Sequence, residues 1–289
     1  MMALDGDPHT RMDRNYFPVK VVQNQQLSPG YAKLLISPTS STIGAEHWNT
    51  IIHAEPGQFF MVWLPNYYCN DHDAHRKKTQ GADSIPLSIA GARDGNLALV
   101  VKSVGPTTES LVAMNPGDKL GIMGPLGTFF SLPENGKICI VGGGIGLAPL
   151  VFLAEKASER GLPVTAFLGF RTASEKILTE DLERSCHNVH VSTDDGTEGF
   201  HGRVTELLQS MLGSGEISGI SNIYTCGPKP MMKAVMELCY EHDIQSEHCL
   251  EREMNCGLGI CGSCSINGVL VCRNGPVFSG YTIRNNGLL

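Results

Sequence analysis

The chain has 289 residues, 42% of them hydrophobic and 18% charged, with a formal net charge of -7. This composition excludes a disordered chain, and the length exceeds what one ordinary core serves, so two domains with a small added module are expected. The acidic balance and the lack of Lys/Arg runs exclude a nucleic-acid surface and an anionic-membrane surface.

Residues 1–16 read as a polar N-terminal extension without the apolar core of a signal peptide, which points to the cytoplasm. Residues 17–133 read as short strands broken by turns: Val19–Val22, Tyr31–Ile36, Phe59–Leu64, Pro86–Ala90, Leu97–Lys102 and Lys119–Met123. That texture predicts a small antiparallel β-barrel, interrupted by one short helix near Thr107 to Met114. The polar run from Asn66 to Asp83 is expected to be a long loop. From Lys137 the pattern changes. Strands at Ile138–Val141, Val164–Leu168, Val189–Ser192 and Asn222–Thr225 alternate with helices, which predicts a Rossmann-like parallel sheet over 137–245. The longest apolar run, Ile138 to Ala154, carries Gly142, Gly143, Gly144, Gly146 and Pro149. It reads as strand, turn and helix start, not as a membrane span. Residues 246–289 form a glycine- and cysteine-rich module that cannot build a core alone.

There are ten cysteines and no export signal, which favours metal or redox chemistry over disulfides. Cys256 is followed by four residues, then Cys261, two residues, then Cys264, and Cys272 comes after seven more. This is the spacing of plant-type [2Fe–2S] sites. Gly257, Gly259 and Gly262 allow the tight positive-φ turns that wrap a flat two-iron rhomb, and they expose amides to the sulfurs. A structural zinc site is the alternative, although zinc favours two C-x2-C knuckles and only one pair has that form.

Gly143, Gly144 and Gly146 lie between a strand and a helix, where backbone amides can cradle a pyrophosphate. The run is not a strict G-x-G-x-x-G, and no acidic residue ends the second strand. Cys226, Gly227 and Pro228 form a second turn at the carboxyl edge of the sheet, where ligands of open α/β folds bind. Cys226 is the candidate catalytic residue, placed beside a nicotinamide ring. A packed strand-end thiol is the alternative reading. Nicotinamide moves a hydride and a [2Fe–2S] cluster moves single electrons, so a flavin is expected between them, held by the barrel. Ser88 is a candidate partner for its ring, and Thr107 and Thr108 for its phosphates.

With these residues assembled, the chain resembles the electron-transfer subunits of NAD-dependent (class 1B) dihydroorotate dehydrogenases, within the ferredoxin–NADP reductase superfamily. The likeness spans roughly 17–280. Ile85, Pro86, Leu87 and Ser88 look like the family's flavin strand, and Val100, Val101, Lys102, Thr107 and Thr108 like its next flavin segments. Cys256 to Cys264, followed by Val271 to Phe278, is the most specific part. The resemblance implies an α+β multidomain oxidoreductase: an antiparallel β-barrel FAD domain (17–133), an α/β NAD domain (137–245) and a C-terminal [2Fe–2S] module (246–289). It also implies FAD, one [2Fe–2S] cluster and NAD as acceptor. The implied partner is an FMN-containing catalytic subunit in a heterotetramer serving pyrimidine synthesis. The flavoprotein subunits of sulfhydrogenases and anaerobic sulfite reductases share these modules and remain the alternative. The family usually has Arg where Ile85 stands and often a second Arg at Lys102, and it often inserts more between Cys264 and Cys272.

Overall fold

The computed structural model describes residues 17–39, 48, 51–64 and 84–289. The expected extension 1–16 and the whole of the loop 66–83 lie outside the described residues.

Six strands close an antiparallel barrel in the order β1-β2-β5-β4-β3-β6: β1 (Phe17–Ser28), β2 (Tyr31–Pro38), β3 (Phe59–Trp63), β4 (Ile85–Arg93), β5 (Asn96–Lys102) and β6 (Lys119–Leu126). Period-two alternation builds it. Val19 and Val21 point into the core while Lys20 and Val22 face solvent. Asp94 and Gly95 both adopt positive φ, as a two-residue hairpin turn requires between β4 and β5. The short helix is Pro106–Val112.

The second unit is a seven-stranded sheet in the order β10-β9-β8-β7-β11-β12-β15. Its strands are β7 (Lys137–Gly143), β8 (Val164–Phe170), β9 (Asn188–Thr193), β10 (Phe200–His201), β11 (Ile220–Cys226), β12 (Gln245–Cys249) and β15 (Val277–Ser279). All pairs are parallel except β12 with β15. Helices Leu147–Glu159, Val204–Ser214 and Lys229–Glu241 pack on it. The expected cluster module therefore shares its first and last strands with this sheet. Its own excursion holds the hairpin of β13 (Ser265–Ile266) and β14 (Val269–Leu270) and the one-turn helix Val271–Asn274, which carries Cys272.

The units are joined through buried side chains. Phe152, from the helix Leu147–Glu159, is fully buried in the barrel core with Leu34, Ile89 and Leu99. Deleting a buried phenylalanine costs about 3–5 kcal/mol, so this one residue contributes strongly to the join. Phe130 meets Tyr224 edge-on with ring centroids 5.6 Å apart, and Lys33 of β2 bridges to Asp181 at 2.6 Å. The excursion borrows its core, because Met254, Val271 and Cys272 pack with Phe59, Met61 and Met123 of the barrel. Among the described residues no helix is long and apolar enough to cross a membrane.

Candidate functional site

Three neighbouring features make up the site. The first is a break in the barrel. The β4–β5 ladder runs from Arg93 paired with Asn96 to Ile89 paired with Leu99, and stops there. Beyond it, Ile85–Ser88 pair only with β3, and Val100–Lys102 pair only with β2. The two edges splay, which leaves backbone donors and acceptors facing a slot. An unpaired backbone edge demands a polar ligand or water. Backbone groups exposed in this way suit a polar-rimmed ligand, and the two lips are Ile85–Ser88 and Val100–Lys102. Val100 also packs in the same cluster as Leu147 and Ala148, so the slot adjoins the sheet. Lys102 supplies the cation on the two lips; its Nζ stands 5.3 Å from the centre of the Tyr31 ring. Ile85, where the resembled family usually has arginine, is half-buried.

Thr108 differs from expectation. Its hydroxyl accepts from the amides of Val104 (2.9 Å) and Gly105 (3.0 Å) and donates to the Gly105 carbonyl (2.9 Å). One donor and two acceptor positions are then filled, so Thr108 shapes the turn before the helix and has no hydroxyl capacity to spare. Thr107 is buried at the start of that helix.

The second feature is the carboxyl edge of the sheet. The glycine run turns through Gly144, at φ 54°, into the helix Leu147–Glu159, whose first residues have no side-chain cap. A Cβ at Gly144 would meet nothing within 4 Å, so this residue opens onto free space. Gly143 and Gly146 do something else. A Cβ on Gly143 would stand 2.9 Å from Pro228 Cδ, and one on Gly146 2.6 Å from Gly227 Cα. Here glycine permits two loops to touch backbone to backbone. Cys226 is buried in register with Gly142 on one side and Cys249 on the other. The Cys249 thiol and burial push the Cys226 thiol well above its usual range, so it stays neutral. Such a thiol packs against a ring or donates a weak hydrogen bond; it is no thiolate nucleophile.

The third feature is the cysteine excursion. Gly257, at φ 68°, lies on the barrel, where a Cβ would meet Met61 Cγ at 2.6 Å and Leu126 Cδ1 at 2.9 Å. The thiols fall into two pairs. Cys264 and Cys272 are buried with sulfurs 3.3 Å apart, and Cys256 pairs with the exposed Cys261. Amides of Gly259, Cys272 and Leu258 point at the sulfurs of Cys272 (3.1 Å), Cys264 (3.4 Å) and Cys256 (3.4 Å). Ser263, then Cys256, hold the Cys261 thiol down to about 6, while burial raises Cys272 to about 11, with Cys264 adding to it. Among the described residues no three His, Cys, Asp or Glu side chains surround a single point as a mononuclear ion requires. Two thiol pairs with amides aimed at sulfur fit a two-iron rhomb, and they fit zinc poorly.

Sequence reasoning missed Glu251. β12 ends at Cys249, and the Leu250 amide bonds the Pro276 carbonyl at 2.9 Å. The next side chain, Glu251, lines a cavity of about 150 Å³ with Gly227, Pro228 and Met232. A single acid after a short strand carries no motif, so only the topology reveals it. Asp195, by contrast, is spent on a turn, accepting from the Thr197 amide (3.0 Å) and hydroxyl (2.6 Å).

A splayed barrel slot, a nucleotide-type sheet edge and a two-iron thiol cage define the class: a ferredoxin-reductase-like oxidoreductase subunit that relays electrons through flavin and iron–sulfur groups. Residues 251–284 match the iron–sulfur cluster binding domain of dihydroorotate dehydrogenase B, and 140–237 match the oxidoreductase NAD-binding domain. The chain is 38% identical over 234 residues to the probable dihydroorotate dehydrogenase B (NAD(+)), electron transfer subunit, of Thermoplasma acidophilum, covering 80% of this chain and 81% of that one. The protein of the same name from Methanocella arvoryzae is 36% identical over 253 residues, covering 86% and 87%. Among solved structures, the NADH-dependent reduced ferredoxin-NADP oxidoreductase matches with a TM-score of 0.74 and 27% identity, covering 91% of this chain and 88% of that one. A ferredoxin NADP+ reductase from Neisseria gonorrhoeae shares the fold at a TM-score of 0.60 and 18% identity, covering 79% and 92%. The chain belongs to the family of electron transfer subunits of dihydroorotate dehydrogenase B. Its cofactors are FAD, one [2Fe–2S] cluster and NAD.

Proposed function

We propose that this chain carries electrons from the FMN of a dihydroorotate-oxidising catalytic subunit to NAD+, in pyrimidine synthesis, as part of a cytoplasmic heterotetramer. Bound FAD supplies the conversion between one-electron and hydride chemistry. The chain's own residues hold and orient the groups. Cys256 and Cys261 take one iron, and Cys264 and Cys272 the other. Ile85, Pro86, Leu87 and Ser88 on one lip, and Val100, Val101 and Lys102 on the other, offer backbone groups and one charge to the flavin. Thr107 and Thr108 close the phosphate end, Thr108 by fixing the Val104–Gly105 turn. Gly144 opens toward the dinucleotide, Gly143 and Gly146 hold the Cys226-Gly227-Pro228 turn against that loop, and Cys226 packs as a neutral thiol beside the nicotinamide. The domain division 17–133, 137–245 and 246–289 assigns one cofactor to each part.

The observation that carries this reading is the seating of the cysteine excursion. Its inner face rests on Met61 and Leu126 of the barrel, while Ile260 at its tip is 80% exposed and Cys261 is exposed beside it. One end of the thiol cage adjoins the flavin-bearing strands and the other is free for a partner. A second reading, a relay fed by a ferredoxin-type donor, draws on the fold match at a TM-score of 0.74. The deciding experiment is co-purification with the catalytic subunit, followed by assay of orotate and NADH from dihydroorotate and NAD+. Both products should form with the pair, and dihydroorotate should leave the flavin of the isolated chain oxidised. A pair that binds yet yields no orotate would reject the proposal and favour the second reading.

A further inference from the structure

The thiol cage meets the barrel through two glycines, one from each side of the contact. Gly257, next to Cys256, lies over β3 and β6: a Cβ there would stand 2.6 Å from Met61 Cγ and 2.9 Å from Leu126 Cδ1. Gly127, just past β6, lies against the chain that follows Cys272. A Cβ there would stand 2.5 Å from Pro276 Cδ, 2.7 Å from the Gly275 carbonyl oxygen and 2.9 Å from Phe59 Cε1. The Thr128 amide donates to that same carbonyl at 2.6 Å, and the Gly275 amide donates to the Val271 carbonyl at 3.1 Å. The one-turn helix that carries Cys272 is thereby tied to the same barrel corner. Both approaches are closer than the 3.4 Å at which ordinary contact begins, and glycine permits them.

The residues beneath these glycines back one lip of the flavin slot. Met61 pairs with Pro86 and Phe59 with Ser88, while Leu126 pairs with Phe59. Each seat is therefore one or two strands, about 5–10 Å, from the Ile85–Ser88 lip. Electron transfer between two held centres slows steeply as the gap between them widens. A short gap held by packed backbone is orientation supplied in advance.

Resting on the flavin lips and thiol cage proposed above, we infer that Gly257 and Gly127 are positioning residues for the electron step between FAD and the cluster. Because they lack side chains, the cage settles onto Met61, Leu126 and Phe59, and that depth sets the gap to the flavin. In the reducing direction NADH gives FAD a hydride, which carries two electrons. One of these passes to the oxidised cluster and the other stays on the flavin. A methyl group at either glycine must move the cage outward on the order of 1 Å, and misplacement of that size costs a positioned pair about tenfold or more in rate.

The test is anaerobic mixing of the FAD- and cluster-loaded chain with NADH, following the bleaching of flavin and cluster separately. The readout is the cluster rate relative to the flavin rate, with backbone hydrogen exchange over residues 255–260 reporting the seat itself. Gly257→Ala and Gly127→Ala should each lower that ratio about tenfold and speed the exchange. Adding Met61→Ala should recover most of the ratio in Gly257→Ala and none of it in Gly127→Ala, whose close neighbours do not include Met61. Gly268 has a positive φ like theirs, at 83°, but a Cβ there meets nothing within 4 Å. Gly268→Ala should therefore leave the ratio as it is. If Gly257→Ala loads no cluster, recovery of loading by Met61→Ala supports the contact, and failure to recover it overturns the proposal. An unchanged ratio in both glycine variants overturns it too, as does equal slowing in Gly268→Ala, which would mean backbone strain alone. Wild-type chain in which NADH bleaches the flavin and never the cluster would instead sink the order of centres proposed above.

Discussion

Gly146 lies directly against the backbone of Cys226: a Cβ at Gly146 would stand 2.5 Å from the Cys226 carbonyl carbon and oxygen. Two loops that leave adjacent parallel strands are thereby locked together, and the position of Cys226 depends on an absent methyl group.

Gly146→Ala should force these loops apart. Overpacking of this kind costs about 1–3 kcal/mol. The expected outcome is NAD+ affinity reduced about tenfold, with flavin and cluster absorbance retained, because the strained contact is with Cys226 and Gly227 and not with the slot strands or the thiols. Titration of the purified variant with NAD+ measures it. Wild-type affinity in Gly146→Ala would show that the two loops need not stay in contact.

Cys261→Ser should abolish cluster absorbance and the acid-labile sulfide, since one iron then keeps a single thiolate. The flavin slot and the sheet edge lie elsewhere, so NADH-driven dye reduction should persist at half or more of the wild-type rate, taking the flavin as the dye's donor. Orotate-linked NADH formation with the partner should vanish. Loss of dye reduction together with the cluster would reverse the assumed order of the centres.

His248 gives a pH dependence. It is fully buried, its Nε2 lies 3.0 Å from Ser246 Oγ, and its Nδ1 has no hydrogen-bond partner among the described residues. Burial pushes its pKa down to about 4 from an ordinary 6.5. The unfolded chain binds a proton near 6.5, and the folded chain resists protonation to about 4. The contribution to stability is therefore full above 6.5 and is lost as pH falls through that window, by up to about 3 kcal/mol. Denaturant unfolding at pH 7.5 and pH 5 should show about 2 kcal/mol of this loss in the wild type and little of it in His248→Gln. Identical losses in both proteins would assign the effect to other groups.

Several parts of this fold were legible in the sequence for physical reasons. Alternation exposed the barrel strands, since Val19 and Val21 must face one way and Lys20 the other. Cluster spacing exposed the cysteines, because few metal centres share it. Other parts depend on distant pairing. β15 is three residues long and exists because β12 offers it an edge, so no local pattern announces it. The strand splay arises from three ladders considered together. Thr108 resembled a phosphate contact because a hydroxyl at a helix start suits either role, and the capping turn took it. The glycine run signalled a nucleotide turn, yet only contacts with Cys226, Gly227 and Pro228 separate its packing glycines from Gly144. Glu251 had no signal at all, because its placement depends on the Leu250–Pro276 bond and a turn 24 residues upstream at Gly227.

The hairpin between the third and fourth cysteines is minimal. Two-residue strands β13 and β14 meet at Asn267-Gly268, both at positive φ. Before and after this stretch the chain is pinned by β12 and β15 in one sheet. The hairpin is thus a tab that can be lengthened or trimmed while the anchored ends stay where they are. A lineage can reshape the outer contour to suit a new companion protein and leave the spacing for electron tunnelling untouched.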